Sequence, residues 1–123
     1  MLHEEYNEQV TVIQHCAYIK LLDGKVGDYI YAIENEGRKS PQAGKRAKKM
    51  GKKAGVSDLH LPVPIGNYCG LWIEMKKVDK KAKASPAQKE WIQKMLKVGH
   101  YACVCHGHKE AIEIIKLYIA GDL

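Results

Sequence analysis

Phenylalanine is absent from this sequence of 123 residues, and so is any apolar run long enough to cross a bilayer as a helix. The first absence leaves leucine, isoleucine, valine and seven tyrosines to fill a core. The second argues against a membrane-spanning helix. The acidic start, MLHEE, lacks the apolar segment of a secretory signal. We therefore expect a cytoplasmic protein with one domain over residues 1–123, an ordinary length for a single domain.

The chain has no secretory signal, so its four cysteines are not expected to form disulfides. Cys103 and Cys105 stand beside His106 and His108, a combination that suggests zinc. Their spacing does not match the usual structural zinc sites. On a strand the two cysteines would instead share one face as small buried hydrophobes. A zinc-stabilised interaction domain is therefore the third of three hypotheses.

Acidic residues are missing from the stretch between Arg38 and Lys53, although the chain as a whole carries 14 of them and has a net charge of +6. Eight basic residues lie in this stretch: Arg38, Lys39, Lys45, Arg46, Lys48, Lys49, Lys52 and Lys53. Such a run predicts contacts with DNA phosphates, which give affinity without sequence selectivity. The alternative is a solvated surface. We find no base-reading motif.

Hydrophobic periodicity and turn signals predict an alternation of helices and strands. Serine followed by proline, which favours a helix start, occurs at 40–41 and 85–86. The PIGN segment at 64–67 predicts a turn between two antiparallel strands. The predicted order is a helix over 4–22, a strand over 29–33, a short helix from 40, strands over 58–63 and 69–77, a basic loop over 79–84, a helix over 85–98 with Trp91, Ile92, Met95 and Leu96 inward, a strand over 101–105 and a helix over 110–119. This order indicates an α/β fold, with a mixed sheet flanked by helices.

Two acids and a lysine occur in the two strands of that predicted hairpin. Glu74 and Lys76 project from one face of their strand together with Trp72, because strand side chains alternate. Antiparallel pairing brings Asp58 beside them. Two carboxylates, with the backbone carbonyl of Met75, suit Mg²⁺ or Mn²⁺, and a lysine can stabilise charge or orient a water. The alternative is an exposed aspartate and a Glu–Lys surface pair.

Several motifs in a fixed order resemble the VRR-NUC domain, a branch of the PD-(D/E)xK nuclease superfamily. The matching segments, which extend through nearly the whole chain, are NEGR at 35–38, KKAGVSDL at 52–59, GLWIEMK at 70–76, SPAQ at 85–88 and GHY at 99–101. The resemblance implies a restriction-endonuclease-like α-β-β-β-α-β core in a stand-alone, minimal family member. It implies catalytic roles for Asp58, Glu74, Lys76 and Gln88. The family's usual proline before the metal-binding aspartate is Ser57 here.

The resemblance also implies that a glutamate of the first helix supports the metal. Glu5 is the first candidate, Glu8 the second and Glu4 the third. The alternative is that these acids only favour the positive end of the helix dipole. Gln88 has two interpretations as well, since Ser85-x-x-Gln88 is also a capping box. His60 shares a face with Asp58 and is expected at the edge of the site.

The first hypothesis for function is a Mg²⁺- or Mn²⁺-dependent, structure-selective DNA endonuclease. Similar stand-alone family members act as homodimers on four-way (Holliday) junctions, so the resemblance implies branched DNA as the substrate and a second copy as the partner. Larger relatives with extra domains are flap nucleases. A compact nuclease of this kind suits a phage or prophage. The second hypothesis is a non-catalytic, basic nucleic-acid-binding module.

Overall fold

A computed structural model describes residues 3–34 and 40–123. The helices in these ranges are α1 His3–Cys16, α2 Pro41–Lys49, α3 Pro86–Lys97 and α4 His108–Ala120, with a short 3₁₀ helix at Val26–Asp28. The strands are β1 Lys20–Leu21, β2 Gly24–Lys25, β3 Tyr31–Ala32, β4 Leu59–Leu61, β5 Leu71–Lys76 and β6 Tyr101–His106. No helix of the described ranges has the length and apolar content to cross a membrane.

The main sheet has the strand order β3-β4-β5-β6. The β3–β4 and β4–β5 pairs are antiparallel, and β5–β6 is parallel. A parallel pair needs a crossover connection, which α3 supplies. The predicted mixed sheet flanked by helices is confirmed, and the series α1-β3-β4-β5-α3-β6 has the α-β-β-β-α-β order expected of the core.

The first helix is shorter than predicted. It ends at Cys16, and the next residues form a two-stranded hairpin in which Leu21 pairs with Gly24. This segment contains the turn signal Asp23-Gly24, and Tyr18 and Ile19 favour a strand over a helix. The prediction of one helix over 4–22 was wrong because local turn pairing outweighs the continued apolar period.

Strand β5 separates two apolar clusters, as its alternation predicts. Leu71, Ile73 and Met75 lie in the main core, together with buried residues of α1 and α4. Trp72 lies on the opposite face, in a second cluster with Ile92 of α3. Glu74 and Lys76 share the face of Trp72 and are therefore covered by α3.

One residue of α3 departs from the prediction. Trp91 and Met95 pack against the second cluster as expected. Leu96, also expected to point inward, is 39% exposed. Leu96 lies one position beyond Met95, and a step of one residue rotates a side chain by about 100° around a helix.

Gly55 allows the start of α3 to approach the segment that leads into β4. Its φ is +82°, and a Cβ there would lie 2.4 Å from the Ala87 carbonyl carbon and oxygen. Real Cβ atoms do not make contacts this short, so α3 lies against bare backbone. A side chain at this position would force the N-terminus of α3 outward.

Gly55→Ala is expected to lower the free energy of unfolding by about 2–4 kcal/mol, since it combines a left-handed backbone cost with overpacking. Urea unfolding measures the change. Gly51→Ala is the matched control, because Gly51 has a φ of +97° and open space around its Cβ position. Equal losses in the two variants would show that the contact with α3 contributes nothing.

Candidate active site

The carboxylate of Asp58 lies where β4 stops pairing with β5. The ladder ends at the Leu59–Ile73 pair, and just beyond it Asp58 Oδ2 accepts a hydrogen bond of 2.8 Å from the Met75 backbone N. The N–H and C=O of one strand residue point to the same edge, so the Met75 carbonyl also faces this gap. The structure thus brings together the carboxylate and carbonyl oxygens that the hairpin predicted.

Ser57, which precedes Asp58, is fully buried. Within the described residues its Oγ has no hydrogen-bond partner. The proline usual in the family has no hydroxyl or N–H to satisfy there. The departure at Ser57 therefore leaves a buried hydroxyl without a partner among the described residues, while the bond from Met75 to Asp58 is still made.

Glu74 is buried more deeply than Asp58, with 2% of its surface exposed against 6%. Gln88 Nε2 donates to Glu74 Oε2 at 3.1 Å. The pKa of Glu74 is raised to about 9: burial is the largest cause, a hydrogen bond with Asp58 and the charges of Asp58 and Glu5 act in the same direction, and the charge of Lys76 opposes them. Glu74 therefore sits where a positive charge or a proton is needed.

Lys76 lies beside Glu74 and Gln88 in the candidate site. Its Nζ donates to Gln88 Oε1 at 3.0 Å and lies 3.8 Å from Glu74 Oε2. The Lys76 side chain is only 13% exposed. With Asp58 also buried, the alternative of exposed surface charges is wrong.

Gln88 forms the predicted capping box and also contacts the candidate site. Its Oε1 accepts from the Ser85 backbone N at 2.8 Å, and Ser85 Oγ accepts from the Gln88 backbone N at 3.2 Å, which forms a capping box. The same amide bonds both Lys76 and Glu74. The start of α3 is thereby tied to the polar end of β5.

Of the three first-helix candidates, Glu4 is exposed outside the cavity lining, and the other two point in different directions. Glu5 lines the cavity that contains Asp58 and Glu74. Glu8 Oε1 instead accepts hydrogen bonds from the His108 backbone N at 2.7 Å and His108 Nδ1 at 2.9 Å. Burial raises the pKa of Glu8, but these bonds outweigh it and the net shift is downward. Glu8 therefore serves the N-terminus of α4, and the geometry favours Glu5 as the third carboxylate.

The cavity has a volume of about 970 Å³ and lies between the site and α2. Of the predicted DNA-binding residues, Lys48, Lys52 and Lys53 line it. Lys45, Arg46 and Lys49 are exposed elsewhere on α2. The remaining two, Arg38 and Lys39, lie outside the described residues.

Two cavity residues were missed by the sequence analysis. Glu34 lines the cavity because β3 and β4 are antiparallel, which places the end of β3 beside the start of β4; the bond from the Ile33 backbone N to the Asp58 carbonyl fixes this approach. The pairing itself was the available signal. Tyr6 also lines the cavity and is 57% exposed. Its position directly after Glu5 in the sequence was the observation that could have predicted this.

The donor set fits a hard divalent cation. Glu74 Oε1 and Gln9 Oε1 are buried and have no hydrogen-bond partner among the described residues, and both residues line the cavity. Buried acceptor oxygens without a donor are costly, and carboxylate, amide and carbonyl oxygens are ligands of Mg²⁺ and Mn²⁺. In residues 3–34 and 40–123 no three His, Cys, Asp or Glu side chains are close enough together to form a complete metal site.

The residues of the zinc hypothesis do not converge. Cys103 Sγ lies 3.7 Å from Cys105 Sγ, and their neighbours in the main core are apolar. His106 Nε2 bonds the Ala82 carbonyl, and His108 bonds Glu8. Strand alternation separates the thiols from His106, so the described residues do not form the zinc site of the third hypothesis.

His60 lies outside the cavity lining. Its ring stacks on Trp72 with centroids 3.8 Å apart, and its Nδ1 is 2.7 Å from the Tyr31 hydroxyl. Burial, with a further contribution from His100, lowers the pKa of His60 to about 4. His60 is therefore a neutral ring that packs on Trp72 of the second apolar cluster.

Comparison with known proteins identifies relatives of this arrangement. The model of the VRR-NUC domain family matches residues 2–109. A solved structure described as a VRR_NUC domain protein is 37% identical, and the alignment covers 94% of this chain and 88% of that one with a TM-score of 0.81. Among curated proteins, no sequence matches significantly.

Proposed function

Because the chain belongs to the VRR-NUC domain family, a family of nucleases, we propose that it is a Mg²⁺- or Mn²⁺-dependent, structure-selective endonuclease that hydrolyses phosphodiester bonds in DNA. One observation carries the proposal. Two buried carboxylates, Asp58 and Glu74, meet beside a lysine that is held by Gln88. A fold without chemistry to perform would rarely hold two acids whose burial and mutual approach raise the pKa of one of them.

The residues divide the chemistry as follows. Asp58, Glu74 and the Met75 carbonyl would hold the cation, with Glu5 as a third carboxylate of the same cavity. When bound, the cation supplies charge neutralisation at the phosphate and acidifies a coordinated water. Lys76 holds its ammonium group where negative charge develops on the scissile phosphate. Gln88 fixes the position of that ammonium group.

Branched DNA, such as a four-way junction, is the proposed substrate. The basic residues of α2 and of the segment after it bind phosphates without reading bases. Selectivity must then come from DNA shape. We propose a homodimer of this domain, because two sites related by a two-fold axis suit paired incisions in a symmetric junction. Light scattering coupled to size-exclusion chromatography tests the dimer.

Cleavage assays on labelled four-way junction, flap and linear DNA test the function. Activity is expected with Mg²⁺ or Mn²⁺ and is expected to disappear on chelation with EDTA. An Asp58→Ala preparation, purified identically, controls for contaminating nucleases. Activity that survives in Asp58→Ala would remove the assignment, and salt-sensitive binding without cutting would favour the non-catalytic binding module.

Gln88→Ala is expected to lower the free energy of unfolding by about 1 kcal/mol, the usual cost of a lost cap, and to slow cleavage by at least about ten-fold because Lys76 loses its partner. Urea unfolding and single-turnover cleavage measure the two effects. Ser85→Ala is the matched control, since it breaks the cap from the other side and leaves the contact with Lys76. Equal cleavage rates in the two variants would show that Gln88 is only a cap.

A further inference from the structure

The cavity above the candidate site has the size of a short piece of one DNA strand. Its volume of about 970 Å³ is at the upper end of the roughly 300–1,000 Å³ that hold a single small ligand. A double helix, whose two grooves alone measure about 12 Å and 6 Å across, needs more room than a single ligand does. The volume of the cavity therefore favours one strand over a duplex as its occupant.

Helix α2 closes the cavity with a face of small residues. Gly44 and Ala47 line it, and a Cβ added at Gly44 would meet no atom within 4 Å. α2 has no buried residue, so its small face is not needed for packing. Lys48, Lys52 and Lys53 also line the space and place positive charge along the route to the acids.

Tyr6 supplies an aromatic surface in the same cavity. It lies on α1 next to Glu5 and is 57% exposed. A large exposed aromatic beside lysines is the combination that binds single-stranded nucleic acid, since every base can stack and the cations follow the backbone. This feature has no role in the core, because Tyr6 belongs to neither apolar cluster of the described residues.

We infer that the cavity takes an unpaired DNA strand, with a base stacked on Tyr6 and phosphates along Lys48, Lys52 and Lys53. The inference rests on the proposed nuclease function and names its substrate: a strand separated from its complement at or near a branch point. Selectivity for DNA structure then follows from the size of the cavity, without any reading of base sequence.

Binding measurements in EDTA test the inference without requiring cleavage. The probe is one fluorescent oligonucleotide, free or in a perfect duplex, measured at equal salt by anisotropy. The single strand is expected to bind at least about ten-fold more tightly than the duplex. Tyr6→Ala is expected to weaken single-strand binding by about ten-fold, the loss of one stacked base, and Tyr6→Phe is expected to retain it. Tyr18→Ala is the control, because Tyr18 is 84% exposed outside the cavity.

A second variant tests the cavity itself. Ala47→Trp fills the space beneath α2 and is expected to weaken single-strand binding at least as much as Tyr6→Ala does. Gln42→Trp adds the same side chain at an exposed position of α2 outside the cavity lining and is expected to have no effect. Duplex binding as tight as single-strand binding would overturn the inference. So would a Tyr6→Ala loss no larger than that of Tyr18→Ala.

Cleavage with Mn²⁺ separates this inference from the proposed function. A duplex with a short unpaired stretch is expected to be cut in that stretch, and a continuous duplex is expected to resist. Equal cutting of both would overturn the unpaired-strand inference and leave the nuclease function standing. Absence of all cutting would remove the nuclease function, and the binding comparison would still decide what the cavity holds.

Discussion

Replacing Lys76 by methionine is expected to slow cleavage by about a thousand-fold, the range seen when a single charge-stabilising or proton-handling group is removed from an active site. Methionine keeps the apolar stem and removes the ammonium group that bonds Gln88 and faces Glu74. DNA binding is expected to change less than three-fold, because Lys76 is one cation among many and is only 13% exposed.

Single-turnover cleavage and anisotropy binding measure the two effects of Lys76→Met separately. Lys97→Met is the control, since Lys97 is exposed at the far end of α3 and its loss should leave both values unchanged. Lys76→Arg is expected to recover only part of the rate, because the guanidinium is larger and planar. A Lys76→Met rate within ten-fold of the native rate would exclude a catalytic role for this residue.

Glu74→Gln is expected to change stability and activity in opposite directions. Without metal, the native Glu74 must hold a proton or bear a buried charge next to Asp58, and the amide removes both requirements while keeping the shape. We expect the variant to unfold with a free energy higher by about 2 kcal/mol at pH 8. Cleavage is expected to be lost, because a neutral amide binds a divalent cation weakly.

The pH dependence follows from the direction of the shift. The pKa of Glu74 is raised from 4.5 to about 9 on folding, so the folded state binds more protons between these values. The stability of the metal-free native protein should therefore fall as pH rises from 5 to 8, and that of Glu74→Gln should change less. Added Mg²⁺ replaces the proton, so its stabilising effect should grow with pH.

Thermal or urea unfolding in EDTA at pH 5, 6.5 and 8 measures these trends, and Glu113→Gln at an exposed position of α4 is the control. A Glu74→Gln protein less stable than the native protein at pH 8 would contradict the assignment of a costly buried acid. The combination of gained stability and lost activity is the mark of a functional site that is strained in the absence of its ligand.

The meeting of Asp58 with Glu74 was predictable because it depends on local rules. A four-residue turn signal joins two apolar runs, so the register and the facing ends follow from the spacing. Strand alternation then puts Lys76 beside Glu74. The capping role of Gln88 is equally local, since it depends on Ser85 three residues earlier.

The choice between Glu5 and Glu8 did not follow from local rules. Both lie on the first turns of one helix and point in different directions from it. The sequence alone does not show which of these directions faces Asp58 and Glu74. The deciding contact is between Glu8 and His108, which are 100 residues apart. The end of α1 was missed for a related reason, because Leu21 gains its burial in a hairpin as well as it would in a helix.

The mixed pairing of the sheet has a consequence for the order in which the protein folds. The β4–β5 hairpin joins neighbouring segments and is expected to close quickly. The parallel β5–β6 pair forms only after α3 has crossed between its two strands, and α1 packs against strands that are distant from it in sequence. Asp58 and Glu74 therefore meet early, and the Lys76–Gln88 contact and the approach of Glu5 come later. A chain that is still folding is thus expected to carry two acids side by side without the residues that complete the site, so it must pack α3 and α1 against the sheet before it is able to cut.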